Sequence, residues 1–157
     1  MLRIDEKFPR LWKNYVYQSL FAALALFVVM LVLKMGQAVV IASIGATAFI
    51  IFAMPNSKAA NPKRVIGGHI VGFISGTIFS VIVFDPFFFT ALIYSLAVAA
   101  ALFTMVITDT EHPPAAGTAL GIAITGFSWD AAMAVIISVL ILSLIHHFAK
   151  PYIKDLV

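Results

Sequence analysis

Apolar runs long enough to cross a bilayer follow one another almost without pause along this chain, and they constrain its fold more than any other feature. A helix rising about 1.5 Å per residue needs roughly 20 apolar residues to traverse a hydrocarbon layer of about 30 Å. Tyr15 to Leu33, Val65 to Phe84, Phe87 to Ile107 and Ala131 to Phe148 all have 18 residues or more. A water-facing fold would have to cover them with charge, yet charged residues are 11% of the 157 and hydrophobic ones 62%. Soluble domains carry about one quarter charged residues, so a soluble enzyme is excluded. The absence of cysteine removes disulfides, thiolate metal sites and cysteine nucleophiles together.

Two further apolar runs are shorter. Ala38 to Met54 stops at Pro55, and Ala115 to Phe127 has only 13 residues with Gly117, Gly121 and Gly126 inside it. Lys34 and Gly36 end the first span, and Asp85-Pro86 reads as an outer turn. Lys and Arg accumulate in short cytoplasmic loops, which lets charge decide whether 115–127 crosses. With six crossings, Arg3, Lys7, Arg10, Lys13, Lys58, Lys63, Arg64, Lys150 and Lys154 all lie inside and Lys34 alone outside. With five, Lys150 and Lys154 move outside. The first division is the sharper one. It predicts an all-α polytopic bundle of about six membrane segments, the second and fifth short or interrupted, as one domain of residues 1–157. Residues 1–14 and 149–157 are expected in the cytoplasm and 15–148 in the membrane.

A shift of 71 positions lays Gly45-Ala46-Thr47-Ala48 over Ala116-Gly117-Thr118-Ala119, so that Thr47 meets Thr118 and Ala48 meets Ala119. The same shift carries segments one to three onto four to six. Three is odd, so the halves would be inverted, an arrangement recurrent among transporters whose sites lie where the repeats meet.

The polar residues gather around the two interrupted segments. Asn61-Pro62 reads as a helix cap and first position. Lys63 and Arg64 follow, either as anchors that snorkel to headgroups or as attractors of an anion. His69 comes five residues after Arg64 and lies about 20° around the helix from Gly76. It should therefore face protein, as a structural hydrogen bond or as part of a permeation path. Gly68, Gly72 and Gly76 form a small-residue stripe that lets another helix approach, with Gly121 a packing glycine on its partner. Pro113-Pro114 can open a helix but cannot lie within one. A helix starting there offers amides at Ala115, Ala116, Gly117 and Thr118 to an anion. Asp109 and Glu111 would repel that anion unless they pair with Lys63 and Arg64. Alternatively, they or His112 take protons, or they form a solvated turn.

No two histidines have the spacing of a helical metal site, and no metal or cofactor is expected. His146 and His147 read as interfacial, as do Trp12, Tyr15, Trp129 and Tyr152, while the fourteen phenylalanines read as lipid-facing bulk.

Glu111-His112-Pro113-Pro114-Ala115-Ala116-Gly117-Thr118-Ala119-Leu120 resembles the signature of the HPP family of integral membrane proteins. The resemblance extends through Gly45-Ala46-Thr47-Ala48 and Pro55 to His69 and covers about residues 15 to 148. The chain departs from the family's Gln-Pro-Arg-Asn-like turn: Asn61 stands for Gln and Lys63-Arg64 for Arg-Asn, which keeps positive charge there. Members are usually described with four transmembrane segments, where charge here favours six. Some carry regulatory domains of the CBS type; this chain, ending shortly after its last span, is expected to carry none. Relatives in plant plastids and cyanobacteria are implicated in nitrite transport, so the resemblance implies a small inorganic anion as substrate.

The resulting expectation is a non-enzymatic carrier or channel for such an anion in the cell (inner) membrane, in contact with lipid, without nucleic acid, and homo-oligomeric because six short spans leave little room for a cavity. Lys63 and Arg64 would attract the anion, the amides of 115–118 would bind it beside Thr47, and His69 and His112 would orient it or relay a proton. The competing readings are a scaffold or sensor component, and a proton- or cation-coupled carrier using Asp109 and Glu111.

Overall fold

The computed structural model describes residues 5–32, 38–82 and 87–157. Six α-helices carry them: α1 (Phe8–Val32), α2 (Ala38–Ala53), α3 (Pro62–Ser80), α4 (Phe87–Ile107), α5 (Pro114–Thr125) and α6 (Trp129–Ala149), with no strand among the described residues. This is the all-α bundle expected from the apolar runs. α1, α4 and α6 are long and apolar enough to span a membrane, whereas α2 and α5 are shorter apolar helices. At about 1.5 Å per residue the 12 residues of α5 reach only about 18 Å. Lys34, Gly36 and the Asp85-Pro86 turn lie outside the described residues.

Local sequence explains the helix boundaries. Asn61 Oδ1 accepts the Lys63 amide at 2.9 Å and Pro62 occupies the first turn, so α3 starts where the cap and the proline placed it. Ser128 Oγ accepts the Ala131 amide at 3.1 Å and opens α6. α5 begins at Pro114 without a side-chain cap and ends at Gly126, whose φ of 79° is open to glycine at little cost.

Polar contacts at one end of the bundle fix the helix directions. Tyr15 Oη donates to the Leu156 carbonyl at 2.7 Å, the Leu156 amide to Ala53 O at 2.9 Å, and His146 Nε2 to Pro55 O at 3.0 Å. Gln18, almost fully buried on α1, donates to Phe52 O and Lys154 O and accepts from the Lys154 amide. The starts of α1, α3 and α5 thus meet the ends of α2, α4 and α6. Successive helices alternate in direction, and residues 5–14 and 150–157 lie at the same end.

The helix pairings carry the signature of two related halves. Exchanging α1 with α4, α2 with α5 and α3 with α6 maps every principal pairing onto another: α1–α2 onto α4–α5, α3–α5 onto α6–α2, and α3–α4 onto α6–α1. α2–α5 and α3–α6 map onto themselves. Because α1 and α4 start at opposite ends, the halves are inverted. They are not equal, since α3 packs on α5 far more extensively than α6 on α2.

A core of Ile44, Ile51, Phe52, Val65, Ile122, Val135, Val139 and Leu142 joins α2, α3, α5 and α6. Leu20, Leu24, Phe27, Phe103, Leu140, Leu144 and Phe148 form the outer, lipid-facing surface. Phe52 corrects the reading of the phenylalanines as lipid-facing bulk: it is buried and meets Phe21 edge to face. His146 is a second correction, because it is buried and ties α6 to the turn after α2, while its neighbour His147 is exposed. Two adjacent residues on a helix point about 100° apart, so one faces the core when the other does not.

Candidate functional site

Two layers of polar residues lie at the end of the bundle where α3 and α5 begin. The outer one is ionic. Lys63 Nζ lies 3.1 Å from Asp109 Oδ2, and Arg64 bridges Asp109 and Glu111. Lys63 and Asp109 are largely exposed, whereas Arg64 is mostly covered. Asp109 has a φ of 54°, in the left-handed region that Asp tolerates better than most side chains. The hydrogen bond from Lys63, and then the charge of Arg64, hold its carboxyl below the ordinary carboxylate value. The four charges therefore compensate one another, as the sequence required for carboxylates beside a helix start. At the same end, Lys58 and Lys150 border a cavity of about 320 Å³ also lined by Asn56, Ser57, Asn61 and His147.

The inner layer is an unbroken chain of hydrogen bonds through α2, α3 and α5. His112 Nδ1 lies 2.8 Å from Ala59 O, and since a carbonyl only accepts, Nδ1 carries the proton. His112 Nε2 is 2.9 Å from Thr47 Oγ1, which is also 2.9 Å from His69 Nε2. His69 Nδ1 is 2.8 Å from Thr118 Oγ1, and that hydroxyl is 2.8 Å from Ser43 Oγ. Ser43 donates to Pro114 O at 2.5 Å and closes the chain. Thr47 Oγ1 has a side branch to Ser43 O at 3.1 Å. Thr47, His69, His112 and Thr118 all have zero exposure, and the two imidazole centroids are 5.1 Å apart.

The glycine stripe makes this geometry possible. A Cβ on Gly68 would come 2.7 Å from His112 Cβ, one on Gly72 would overlap the Ala115 carbonyl, and one on Gly76 would come 2.6 Å from Ala119 O. Without those three Cβ atoms, α5 lies along α3 with its first turn about 9 to 15 Å past the start of α3, at the level of Gly68 and Gly72. His69 and Thr118 are thereby brought within hydrogen-bond reach.

Of the residues singled out in the sequence, Thr47, His69, His112 and Thr118 converge in the inner layer, and Lys63, Arg64, Asp109 and Glu111 in the outer. The Ala115 amide is taken by His112 O at 2.9 Å and the Ala116 amide by Pro113 O at 3.1 Å. Gly117 faces Ser43, and Gly121 is buried with its carbonyl bonded to Thr125 Oγ1. Sequence reasoning missed Ser43 and the Ala59 carbonyl. Ser43 had a signal, since it stands one helical turn before Thr47 and pairs with Pro114 under the 71-residue shift. Ala59 acts through its backbone and had none. Among the described residues no three His, Asp or Glu side chains converge as a metal ion would need.

Comparison with known proteins matches residues 9–153 to the family described as HPP, transmembrane region. A transmembrane protein of Dictyostelium discoideum is 34% identical over 91 residues, covering 52% of this chain and 29% of the relative. A second from the same organism is 37% identical over 78 residues, covering 50% of this chain and 25% of its own length. The chain thus matches less than a third of either relative. No solved structure matches it. With nearly its whole length accounted for by that one family and its helices arranged as a multi-pass membrane bundle, the chain belongs to the HPP transmembrane-region family.

Proposed function

We propose that this protein is a membrane carrier or channel for a small inorganic anion such as nitrite, acting without enzymatic chemistry, and that the Ser43–Thr118–His69–Thr47–His112 chain is its polar site. The observation that carries this reading is the burial of two imidazoles and three hydroxyls in one chain at the meeting of two short helices from inverted halves. Ionisable groups inside a membrane bundle are expensive and mark ion or substrate paths. Short helices meeting at a repeat interface are the usual setting of transporter sites. Lys58 and Lys150, beside their cavity, suit attraction of an anion better than Lys63 and Arg64, whose charges are engaged. The sealed cluster corresponds to a closed state, with Arg64, Asp109 and Glu111 as the polar lid above it. We place both termini in the cytoplasm of a cell whose inner membrane holds a homo-oligomer of the chain.

Purified protein in liposomes should take up nitrite faster than protein-free vesicles, and His69→Ala and His112→Ala should each slow it at least tenfold. Equal rates in all three proteins would reject the site.

The burial of the whole cluster favours one other reading, a scaffold in which the same bonds only lock helices. Thermal stabilisation separates the two: a ligand at 100 times its Kd adds about 2.7 kcal/mol. A scaffold would be stabilised by no anion among nitrite, nitrate, formate and chloride.

A further inference from the structure

Lys58 and Lys150 carry charges that no ion pair answers. Among the described residues neither side chain takes part in a salt bridge, whereas Lys63 and Arg64, at the same end of the bundle, are both paired with carboxylates. The two lysines border the cavity of about 320 Å³ formed where the turn after α2 and the first residues of α3 meet the end of α6. Neighbouring carboxylates are engaged elsewhere. Both oxygens of Asp155 accept from Asn56, one from its backbone amide and one from its side chain. Asp109, within electrostatic reach of Lys58, is met directly by Lys63 and Arg64. The cavity therefore favours an anion.

Its wall also holds a buried acceptor in want of a donor. His146 lines the cavity, is 2% exposed, and donates from Nε2 to Pro55 O at 3.0 Å. In a neutral imidazole the other nitrogen can then only accept, and Nδ1 has no partner. Ser143, one turn earlier on α6, does not supply the donor, because its own Oγ is also unpartnered. A buried nitrogen left in this state is costly, and a hydroxyl on the ligand would satisfy it.

The position of the cavity selects the source of the ligand. His147, Leu140 and Ile136 share one flank of α6, since steps of seven and four residues return to the same face. Leu140 and Ile136 are about half exposed there. On α3, Pro62, Ile66 and Phe73 share a face by the same spacing and are half-buried. An apolar path thus leads from the cavity along both helices toward the membrane interior, and acyl chains laid on it would carry their headgroup to the two lysines. Basic pockets between membrane helices are suited to acidic headgroups.

We propose that this cavity binds an anionic phospholipid whose phosphodiester bears a hydroxylated headgroup, with the phosphate against Lys58 and Lys150 and a headgroup hydroxyl donating to His146 Nδ1. Such a site exists whether or not the protein carries an anion; where it does, headgroup and incoming anion compete for the same two lysines.

The test is a lipid titration of the delipidated full chain in detergent, read by native mass spectrometry, with three lipids of matched acyl chains. Phosphatidylglycerol has the charge and the hydroxyls, phosphatidylmethanol the charge alone, and phosphatidylcholine no net charge. Phosphatidylglycerol should bind at least tenfold tighter than phosphatidylcholine and about two- to tenfold tighter than phosphatidylmethanol, the equivalent of one net hydrogen bond. Lys58→Gln combined with Lys150→Gln should abolish the preference over phosphatidylcholine. Lys13→Gln, which removes an exposed cation at the same end but outside the cavity, should leave it unchanged. His146→Gln keeps an amide donor for Pro55 O and removes Nδ1, so it should bring phosphatidylglycerol down to the level of phosphatidylmethanol. Equal binding of phosphatidylglycerol and phosphatidylcholine by the wild type, or equal loss in Lys13→Gln and the double variant, overturns the site. Equal binding of phosphatidylglycerol and phosphatidylmethanol by the wild type overturns the His146 contact. Soluble glycerophosphoglycerol binding as tightly as the lipid overturns the membrane as the source.

Discussion

The hydroxyl of Ser43 donates to the carbonyl of Pro114 at 2.5 Å, and Pro114 lies 71 positions further along the chain, the offset that superimposes the two halves of the sequence. Equivalent positions of α2 and α5 therefore meet face to face, as they must where an inverted pair of helices crosses its own symmetry axis. Thr47 and Thr118, the clearest repeat equivalents, lie one turn further along their helices and reach each other through His69. The polar site and the internal symmetry coincide.

Thr47 Oγ1 is hydrogen-bonded to Nε2 of both imidazoles. Thr47→Val keeps the shape but strips both Nε2 atoms of their partner, and a buried unsatisfied polar group costs about 1–3 kcal/mol. The expected outcome is a clear drop in melting temperature in detergent and, on the proposed function, at least a tenfold loss of nitrite uptake. Thr47→Ser should recover most of both. Wild-type melting of Thr47→Val would mean that the chain bears no load.

Close approach of α3 and α5 predicts a sharp contrast between glycines. Gly72→Ala drives a methyl into the Ala115 carbonyl and should destabilise by about 1–3 kcal/mol, the range for overpacking. Gly45→Ala meets nothing within 4 Å and should be neutral or slightly stabilising, as alanine favours helix. Thermal melts of the two variants side by side check this. Equal destabilisation would point to glycine flexibility as the cause instead.

The outer ion layer predicts the acid limb of stability. Asp109 titrates below its ordinary value of 3.8 because of Lys63 first and Arg64 next. A carboxyl lowered on folding contributes fully above its unfolded value and loses that contribution as pH falls through its folded one. Melting temperature should be flat from about pH 8 to 5 with respect to this group and decline below about pH 4. Asp109→Asn should be less stable at neutral pH, by a small amount because the site is exposed, and should show a shallower acid decline. An identical acid limb in the variant would remove Asp109 from the account.

A cysteine-free chain suits labelling. Lys13→Cys, Lys58→Cys and Lys150→Cys should react with an impermeant maleimide from one side of the membrane and Trp129→Cys from the other. Reaction of Lys13→Cys and Lys150→Cys from opposite sides would reject six crossings.

The sequence by itself determined the solvent, the helical class, the alternation of long and short segments, and the starts of α3 and α5. Apolar run length, capping residues and proline act locally and can be read from neighbours in the chain. The family signature also lies in contiguous residues, Glu111 to Leu120. Sequence also nominated Thr47, His69, His112 and Thr118, because a polar group in so apolar a chain is conspicuous. Only the tertiary structure decided how they connect. The chain from Ala59 to Pro114 draws on four separate stretches, and one end is a backbone carbonyl that every residue possesses. The burial of His146 and Phe52, and the pairing of Arg64 with two carboxylates some 45 residues away, were settled the same way. Which face of a helix turns inward depends on what arrives from elsewhere, and here the missing Cβ atoms of Gly68, Gly72 and Gly76 let α5 arrive close enough to close the chain.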